Sequence, residues 1–188
     1  MDGRIELGRR LSSEQVVRPA KFAHVVLRTR KLEESIAWYR DLVGMEVVFG
    51  NDFAAFLSYD DEHHRLALVQ TPQEQPSAPG AAGLDHVAYT LRDLGELLGT
   101  YRRLAARSIL PVWSINHGPT TSLYYQDPDG NRVELQVDNF ESAEEANAWM
   151  HSGAFEKNPI GVEFDPEELA ARYEQGEAMT VLLARGDA

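Results

Sequence analysis

The most informative stretch of this sequence is YYQDPDGNRVEL, residues 124–135. Its centre, DPDGN, combines residue types that favour tight turns, because proline presets φ while glycine and asparagine accept unusual backbone angles. Apolar and aromatic residues flank the turn, which predicts a strand on each side of it. Alternation along a strand predicts that Glu134 faces away from Val133 and Leu135. The stretch therefore predicts a hairpin that carries one carboxylate on its polar face.

The chain contains an internal repeat. FAHVVLRT at residues 22–29 matches LDHVAYTL at residues 84–91, and the match aligns His24 with His86. Each copy is followed by a segment with the apolar spacing of a helix and then by three strand-like segments. We therefore predict an α+β fold of two βαβββ modules, whose curved mixed sheets lie side by side and enclose a cavity, plus a C-terminal helical tail.

The repeat divides the chain into five predicted segments. They are an N-terminal lead-in (1–20), the first module (21–71), a linker rich in Pro, Gly and Ala (72–82), the second module (83–138) and a C-terminal extension (139–188). The extension predicts two helices, and in the second of them Asp165 precedes Pro166, which is typical of a helix start. We interpret the extension as a cover for the modules or as an element of a dimer.

The composition excludes several classes of protein. The 188 residues are 43% hydrophobic and 26% charged, values typical of a globular domain. The formal net charge of −12 repels phosphate backbones, so we expect no nucleic acid partner. The sequence has no cysteine, which excludes disulfides and thiolate metal sites. No apolar run has the length of a signal-peptide core or a membrane span, so we expect a cytoplasmic protein without a membrane partner.

Three residues combine into a candidate metal site. His24 and His86 occupy equivalent positions of the repeat, and Glu134 lies near the end of the last strand of the second module. Two neutral imidazoles and one carboxylate leave other positions of a metal open, which suits iron(II) in oxygen chemistry. A structural metal would instead have four protein ligands. Taken singly, a strand histidine is more often a hydrogen-bonded core residue, so the prediction depends on the combination.

The repeat, the DPDGN turn and Glu134 together resemble the vicinal oxygen chelate superfamily, also called the glyoxalase/bleomycin-resistance fold. The resemblance extends over residues 21–138. In that family the metal ligands come from the first strand of each module and from the last strand of the second module. The resemblance therefore implies that His24, His86 and Glu134 are the metal ligands.

Within this superfamily, HHRLAL at residues 63–68 most resembles the one-domain type I extradiol catechol dioxygenases. These enzymes carry a histidine just before an x-Leu/Val-Ala motif, which implies an acid–base role for His64. They also carry a tyrosine ten residues before the ligating glutamate, which implies that Tyr124 orients the substrate. A second pocket histidine in the loop before that tyrosine implies an assisting role for His117.

The resemblance also implies the reaction and its partners. The expected function is that of an Fe(II)-dependent extradiol ring-cleaving dioxygenase, with Mn(II) as the alternative metal. The expected reactants are a catecholic small molecule and O2. Folds of this kind commonly pair, so we expect a homodimer or a higher homo-oligomer.

Two alternatives stay open from the sequence. The first is a metal-dependent lyase or epimerase of the same fold, in which Gln70 would supply a fourth ligand. The second is a small-molecule binding or resistance protein, which would hold a ligand in the same cavity without the metal triad. Metal preference and oxygen consumption would distinguish these alternatives from a dioxygenase.

Overall fold

The computed structural model describes residues 16, 18–72 and 82–187. Most of the predicted lead-in and most of the predicted linker lie outside the described residues. The elements are β1 Val25–Thr29, α1 Leu32–Val43, β2 Glu46–Gly50, β3 Ala54–Ser58, β4 Leu66–Gln70, β5 His86–Thr90, α2 Leu94–Ala105, β6 Trp113–Asn116, β7 Thr120–Gln126, β8 Arg132–Asp138, α3 Ala143–Met150, α4 Ala154–Lys157, β9 Val162–Glu163, α5 Pro166–Glu174 and α6 Met179–Leu182. The predicted α+β order of two βαβββ modules is confirmed.

The first module forms a four-stranded mixed sheet in the order β1-β4-β3-β2. β1 and β4 are parallel, and the other neighbours are antiparallel. Helix α1 makes the connection between β1 and β2. It ends at Gly44, which has a φ of 68° and donates its N–H to the Arg40 carbonyl. Glycine suits this position because a left-handed residue closes the helix without a steric penalty.

The second module repeats this pattern in a five-stranded sheet of order β5-β8-β7-β6-β9. β5 and β8 are parallel, as β1 and β4 are in the first module. Helix α2 begins after Asp93, whose side chain accepts the backbone N–H of Glu96. This bond satisfies one of the free N–H groups of the first helical turn. The fifth strand, β9, comes from the C-terminal extension and runs antiparallel to β6.

The predicted hairpin is present as β7, the DPDGN turn and β8. Asp127 organises the turn, because its Oδ1 accepts the N–H groups of Asp129 and Asn131 at 2.9 and 2.8 Å. The antiparallel register that results places Tyr124 directly opposite Glu134. A spacing of ten residues in the sequence thus becomes direct contact between neighbouring strands.

Both modules contribute to one hydrophobic core. Helices α1 and α2 contact each other, and buried residues of both belong to the same cluster. Tyr39 of α1 donates its hydroxyl to Asp127 at 3.2 Å, and Thr29 of β1 donates to Asp129 at 2.5 Å. The turn of the second module is therefore bonded to the first module on the core side.

Each sheet presents one face to this shared core. Leu27 of β1 and its register partner Leu68 of β4 lie on the core face of the first sheet. Leu135 of β8 lies on the core face of the second sheet. Side chains alternate along a strand, so the positions of His24 and Glu134 belong to the opposite faces of their sheets. The predicted ligands are thus carried on the faces that point away from the core.

The C-terminal extension packs against the second module. The two predicted helices are confirmed as α3 and α5. Helix α5 starts as predicted at Pro166, and the side chain of Asp165 accepts the backbone N–H groups of Glu167 and Glu168. Leu169 and Leu182 of the extension lie in the core. The short helices α4 and α6 and strand β9 were not predicted, because segments of two to four residues are too short to show a period. Within the described ranges, no helix is both long and apolar enough to span a membrane.

Candidate functional site

The second sheet brings His86 and Glu134 into direct contact. β5 and β8 are parallel neighbours, and His86 Nε2 lies 3.1 Å from Glu134 Oε2. His86 Nδ1 lies 2.7 Å from a carboxylate oxygen of Asp85. Glu134 is only 3% exposed. A buried carboxylate of this kind is stabilised only when it has a charged or hydrogen-bonding partner, and here an imidazole supplies it.

Tyr124 completes this group from β7. Its ring meets the His86 ring edge-on at a centroid distance of 5.3 Å, and its hydroxyl lies 3.0 Å from His117 Nε2. Burial and the neighbouring Glu134 carboxylate raise the pKa of Tyr124. The side chain is therefore a neutral phenol at neutral pH and remains able to donate a hydrogen bond.

His117 lies at the end of β6, between Tyr124 and the C-terminal extension. Its Nδ1 contacts the backbone carbonyl of Ile160. A carbonyl can only accept, so this contact assigns the proton to Nδ1. In a neutral ring Nε2 then carries a lone pair that faces the Tyr124 hydroxyl, and the same hydroxyl is hydrogen-bonded to the Glu134 carboxylate. The Ile160 carbonyl thus orients the imidazole toward Tyr124.

Two further residues of this group carry no prediction from the sequence. The Arg132 guanidinium lies over the Tyr124 ring at 4.8 Å and over the Trp113 ring at 5.4 Å. Asp85 accepts from His86, and this contact holds the pKa of Asp85 below its usual value. A carboxylate beside a ligand histidine fixes the orientation of the ring. Two signals in the sequence could have identified them. Asp85 is adjacent to His86, and Arg132 lies two residues before Glu134, on the same face of β8.

A second group of imidazoles lies on the first sheet. The rings of His24 and His64 have a centroid distance of 4.3 Å, and His63 Nδ1 lies 2.6 Å from His64 Nδ1. The Phe56 ring contacts His64 edge-on at 5.0 Å. Partial burial and the imidazoles of His24 and His63 lower the pKa of His64. His64 is therefore neutral at neutral pH and can accept a proton.

The structure thus assembles the predicted residues in two groups. His86, Glu134, Tyr124 and His117 form one group, and His24 and His64 form the other. Among residues 16, 18–72 and 82–187, no group of three His, Asp or Glu side chains is close enough to hold a metal. The three predicted ligands are therefore not gathered at one point of this chain, and their assignment to a metal stays a prediction.

Gln70, the fourth ligand of the lyase or epimerase alternative, has a different environment. Its amide donates to the backbone carbonyl of Arg30 at 3.2 Å. Gln70 follows Leu66 and Leu68 of β4 at intervals of two residues, so all three share one face of the strand, and both leucines belong to the core cluster. Gln70 therefore lies on the core face of the sheet, opposite to the face of His24.

Comparisons with known proteins agree with this topology. A family model described as the Glyoxalase/Bleomycin resistance protein/Dioxygenase superfamily matches residues 21–135. Biphenyl-2,3-diol 1,2-dioxygenase 2 of Rhodococcus globerulus is 50% identical over 147 residues, which are 78% of this chain and 77% of the relative. Biphenyl-2,3-diol 1,2-dioxygenase 3 of the same organism is 42% identical over 167 residues, 88% of each chain.

A solved structure shares the fold at low sequence identity. Lactoylglutathione lyase from Agrobacterium tumefaciens has a TM-score of 0.52 and 24% identity, and the match covers 63% of this chain and 94% of that one. The family match runs from before His24 to just after Glu134, so it includes the first module, nearly all of the second and all the predicted site residues. On these grounds the chain belongs to the glyoxalase/bleomycin resistance protein/dioxygenase superfamily.

Proposed function

We propose that this chain is an extradiol ring-cleaving dioxygenase, which uses O2 to open a catecholic ring and depends on Fe(II) or, alternatively, Mn(II). The two Rhodococcus globerulus relatives support this reaction, because both are named biphenyl-2,3-diol 1,2-dioxygenases and are 50% and 42% identical to this chain. Their names also favour a catechol with an aryl substituent as the substrate.

The contact between Tyr124, His117 and the His86–Glu134 pair carries the proposal. The phenol hydroxyl of Tyr124 lies 3.0 Å from Nε2 of His117 and is also hydrogen-bonded to the Glu134 carboxylate, and its oxygen can accept from a second hydroxyl. A catechol hydroxyl bound there would pass its proton to the Tyr124 oxygen as Tyr124 turns its own proton to Nε2 of His117, which takes it up. Deprotonation of a catechol hydroxyl is the first chemical requirement of the proposed reaction.

The remaining residues of the two groups have supporting roles in the proposal. Arg132 lies over Tyr124 and supplies positive charge beside the substrate oxygens. His64, a neutral imidazole, would accept and return a proton on the O2 side of the substrate. Phe56, Trp113 and the ring of Tyr124 offer aromatic surface of the kind that an aryl-substituted catechol would contact.

Oxygen uptake tests this function. The chain is loaded anaerobically with Fe(II), or in parallel with Mn(II), and mixed separately with catechol, 3-methylcatechol, 2,3-dihydroxybiphenyl and protocatechuate. We expect stoichiometric O2 consumption and a yellow ring-opened product, with 2,3-dihydroxybiphenyl as the best substrate. Bound metal without O2 uptake on any of the four compounds would contradict the proposal, and turnover of a non-catecholic substrate without O2 would favour a lyase or epimerase.

Replacement of Glu134 tests the metal assignment within the same assay. Glu134→Ala should remove bound metal and O2 uptake together, because the predicted ligand set of His24, His86 and Glu134 loses its only carboxylate. The matched control is His151→Ala, which removes an exposed imidazole of the C-terminal extension. Metal content equal to that of the wild type in Glu134→Ala would show that Glu134 is not a ligand.

A further inference from the structure

The turn that precedes β9 is held by the side chain of Asn158. Its Oδ1 accepts the backbone N–H groups of Ile160 and Gly161 at 3.2 and 3.0 Å. Its Nδ2 donates to the Gly161 carbonyl at 2.9 Å. An asparagine that bonds the backbone two residues further on closes a turn in one conformation. Because the Ile160 carbonyl contacts Nδ1 of His117, Asn158 determines the direction from which that carbonyl meets the imidazole.

Arg185 connects this turn to the segment that carries His117. Its Nη1 donates to the Asn158 carbonyl at 2.8 Å and to the His117 carbonyl at 3.3 Å. Its Nη2 donates to the Ala154 carbonyl at 2.9 Å. A guanidinium presents its donors in a fixed plane, so these bonds set the positions of the three carbonyls relative to one another. One side chain of the C-terminal extension therefore holds both partners of the contact between Ile160 and His117.

The guanidinium of Arg185 is buried within the extension. Its side chain is only 1% exposed, its Nε lies 2.6 Å from Asp187 Oδ1, and its Cζ lies over the Trp149 ring, 4.8 Å from the centroid. Asp187 also accepts from Nδ2 of Asn158 at 2.7 Å. A buried charge costs free energy unless it is paired and hydrogen-bonded, so the loss of one member leaves the others unsatisfied. Asp187, Arg185 and Asn158 therefore act as one unit.

The extension also packs against the turn that follows His117. The Trp149 ring lies so close to Gly118 that a Cβ on this glycine would be 2.0 Å from the ring. The N–H of Gly118 donates to Oδ1 of Asn116 at 2.8 Å. The backbone around His117 is therefore fixed, which leaves the contact with Ile160 to set the state of the imidazole.

The contact with Ile160 decides which nitrogen of His117 can take up a proton. A carbonyl oxygen only accepts, so it favours the neutral ring that carries its proton on Nδ1. Nε2 then presents a lone pair to the Tyr124 hydroxyl, 3.0 Å away. In the other neutral form Nε2 would already carry a proton, and the ring could not accept one from Tyr124.

We propose that Asn158 and Arg185 are positioning residues, which hold the Ile160 carbonyl against His117 and so keep the imidazole proton on Nδ1. Both residues lie beyond residues 21–135, the part of the chain that matches the family model. The inference rests on the proposed function for the role of His117 as acceptor of the Tyr124 proton. The extension thus prepares His117 for this role before a substrate binds.

Nuclear magnetic resonance of the imidazole tests the inference without metal or substrate. The chain is labelled with ¹⁵N, and long-range ¹H–¹⁵N spectra at about pH 8, above the usual histidine pKa, report which ring nitrogen carries the proton. The signals of His117 are those absent from the spectrum of His117→Gln. We expect the wild type to carry the proton on Nδ1, whereas Asn158→Ala and Arg185→Met should populate both neutral forms.

Two changes elsewhere in the same extension are the matched controls. Asn147→Ala removes an exposed amide of α3, and Arg172→Met removes a guanidinium of α5 that pairs with Glu177. Both should keep the wild-type form of the ring, and mixed forms in these controls would overturn the inference.

Three further results would overturn the inference in whole or in part. The first is a proton on Nε2 of His117 in the wild type. The second is the Nδ1 form alone in folded Asn158→Ala and Arg185→Met. The third is an Arg185→Met chain that does not fold, which would assign Arg185 to stability alone. Asn158→Ala replaces a partly exposed side chain and then decides the role of Asn158 by itself.

Turnover of the metal-loaded chains links the state of the ring to the reaction. Asn158→Ala and Arg185→Met should lower kcat by up to about 10²-fold, the cost of a small misplacement of a functional group, with KM and bound metal close to those of the wild type. An unchanged kcat in variants whose ring has changed would overturn the positioning role. A wild type that consumes no O2 with any catechol would overturn the proposed function instead, and the spectra of the metal-free chain still decide whether Asn158 and Arg185 hold His117.

Discussion

Tyr124 and Glu134 show how a single turn positions a functional pair. Three hydrogen bonds to Asp127 close the DPDGN turn, and the register that follows sets the two side chains opposite each other. The polar face of the hairpin then carries a buried carboxylate beside a neutral phenol. Burial affects both side chains. It raises the pKa of Tyr124, and it makes the stability of the Glu134 carboxylate depend on its contact with His86.

His64 is the residue whose replacement should affect turnover without affecting metal content. It contacts His24 but belongs to the loop before β4, and its lowered pKa keeps it neutral near pH 7. His64→Phe should reduce kcat on the order of 10²-fold or more, the usual contribution of a general acid–base group. Turnover and metal content are measured on the same preparation, with His151→Phe as the exposed control. A kcat equal to that of the wild type would remove His64 from the mechanism.

Asp129 joins the two modules through hydrogen bonds that should weaken when acid protonates its carboxylate. Its carboxylate accepts from Thr29 Oγ1 and from the Arg30 backbone N–H and guanidinium, and its side chain is 7% exposed. Burial raises its pKa, but these hydrogen bonds outweigh burial and hold the pKa of Asp129 below its usual value. Asp129→Asn should lower the free energy of unfolding by about 1.5–3 kcal/mol at pH 7.

The sign of the pH dependence follows from the lowered pKa. A carboxyl that is more acidic in the folded chain stabilises it above the unfolded pKa, and this stabilisation is lost as the pH falls through the folded pKa. The difference between wild type and Asp129→Asn should therefore shrink below about pH 4. Urea unfolding at several pH values measures it, with the exposed Asp61→Asn as the charge-matched control. A difference that is the same at pH 7 and pH 3 would contradict the role of the ionised carboxylate.

At the scale of elements, the C-terminal extension supports the site through β9. The extension adds β9 beside β6, and the carbonyl of Ile160 just before β9 orients His117. Arg185 adds a hydrogen bond to the His117 carbonyl at 3.3 Å. The extension therefore packs on the second module and also contacts His117, a residue of the candidate site.

A substitution at Gly161 should disrupt the contact between the Ile160 carbonyl and His117. Its φ is 123°, and a Cβ there would lie 2.3 Å from the backbone oxygen of Asn116. Gly161→Ala should therefore displace β9, cost roughly 1–3 kcal/mol as overpacking does, and lower kcat as His117 loses its orientation. Thermal unfolding and steady-state rates measure the two effects.

The control for this variant is Gly153→Ala. Gly153 also has a positive φ, of 87°, but a Cβ there would meet open space. It should therefore show the backbone strain without the collision and keep its kcat. If the two variants have the same kcat, β9 does not position His117.

At the scale of the whole molecule, the shared core determines where the sheets face. The core is built from the inner faces of both sheets, so the outer faces, which carry the predicted ligands, point away from it.

Local sequence patterns were sufficient for the elements and for the hairpin. The repeat of FAHVVLRT and LDHVAYTL predicted two βαβββ modules, and Asp165 with Pro166 predicted the start of α5, because periodicity and capping are properties of a few neighbouring residues. The DPDGN turn likewise predicted the hairpin, whereas Tyr124 was implied only by the family resemblance, and the observed register places it opposite Glu134. Local patterns did not predict β9, a two-residue strand that exists only through its pairing with β6.

What the sequence by itself determined about this protein is therefore the two modules, the DPDGN hairpin and the chemical types of the candidate site residues. Only the tertiary structure decided that His86 and Glu134 lie together while His24 lies with His64, and that Ile160 orients His117. The physical reason is that alternation assigns a side chain to one of two faces of a strand, but the packing of the helices between the sheets selects which face is buried.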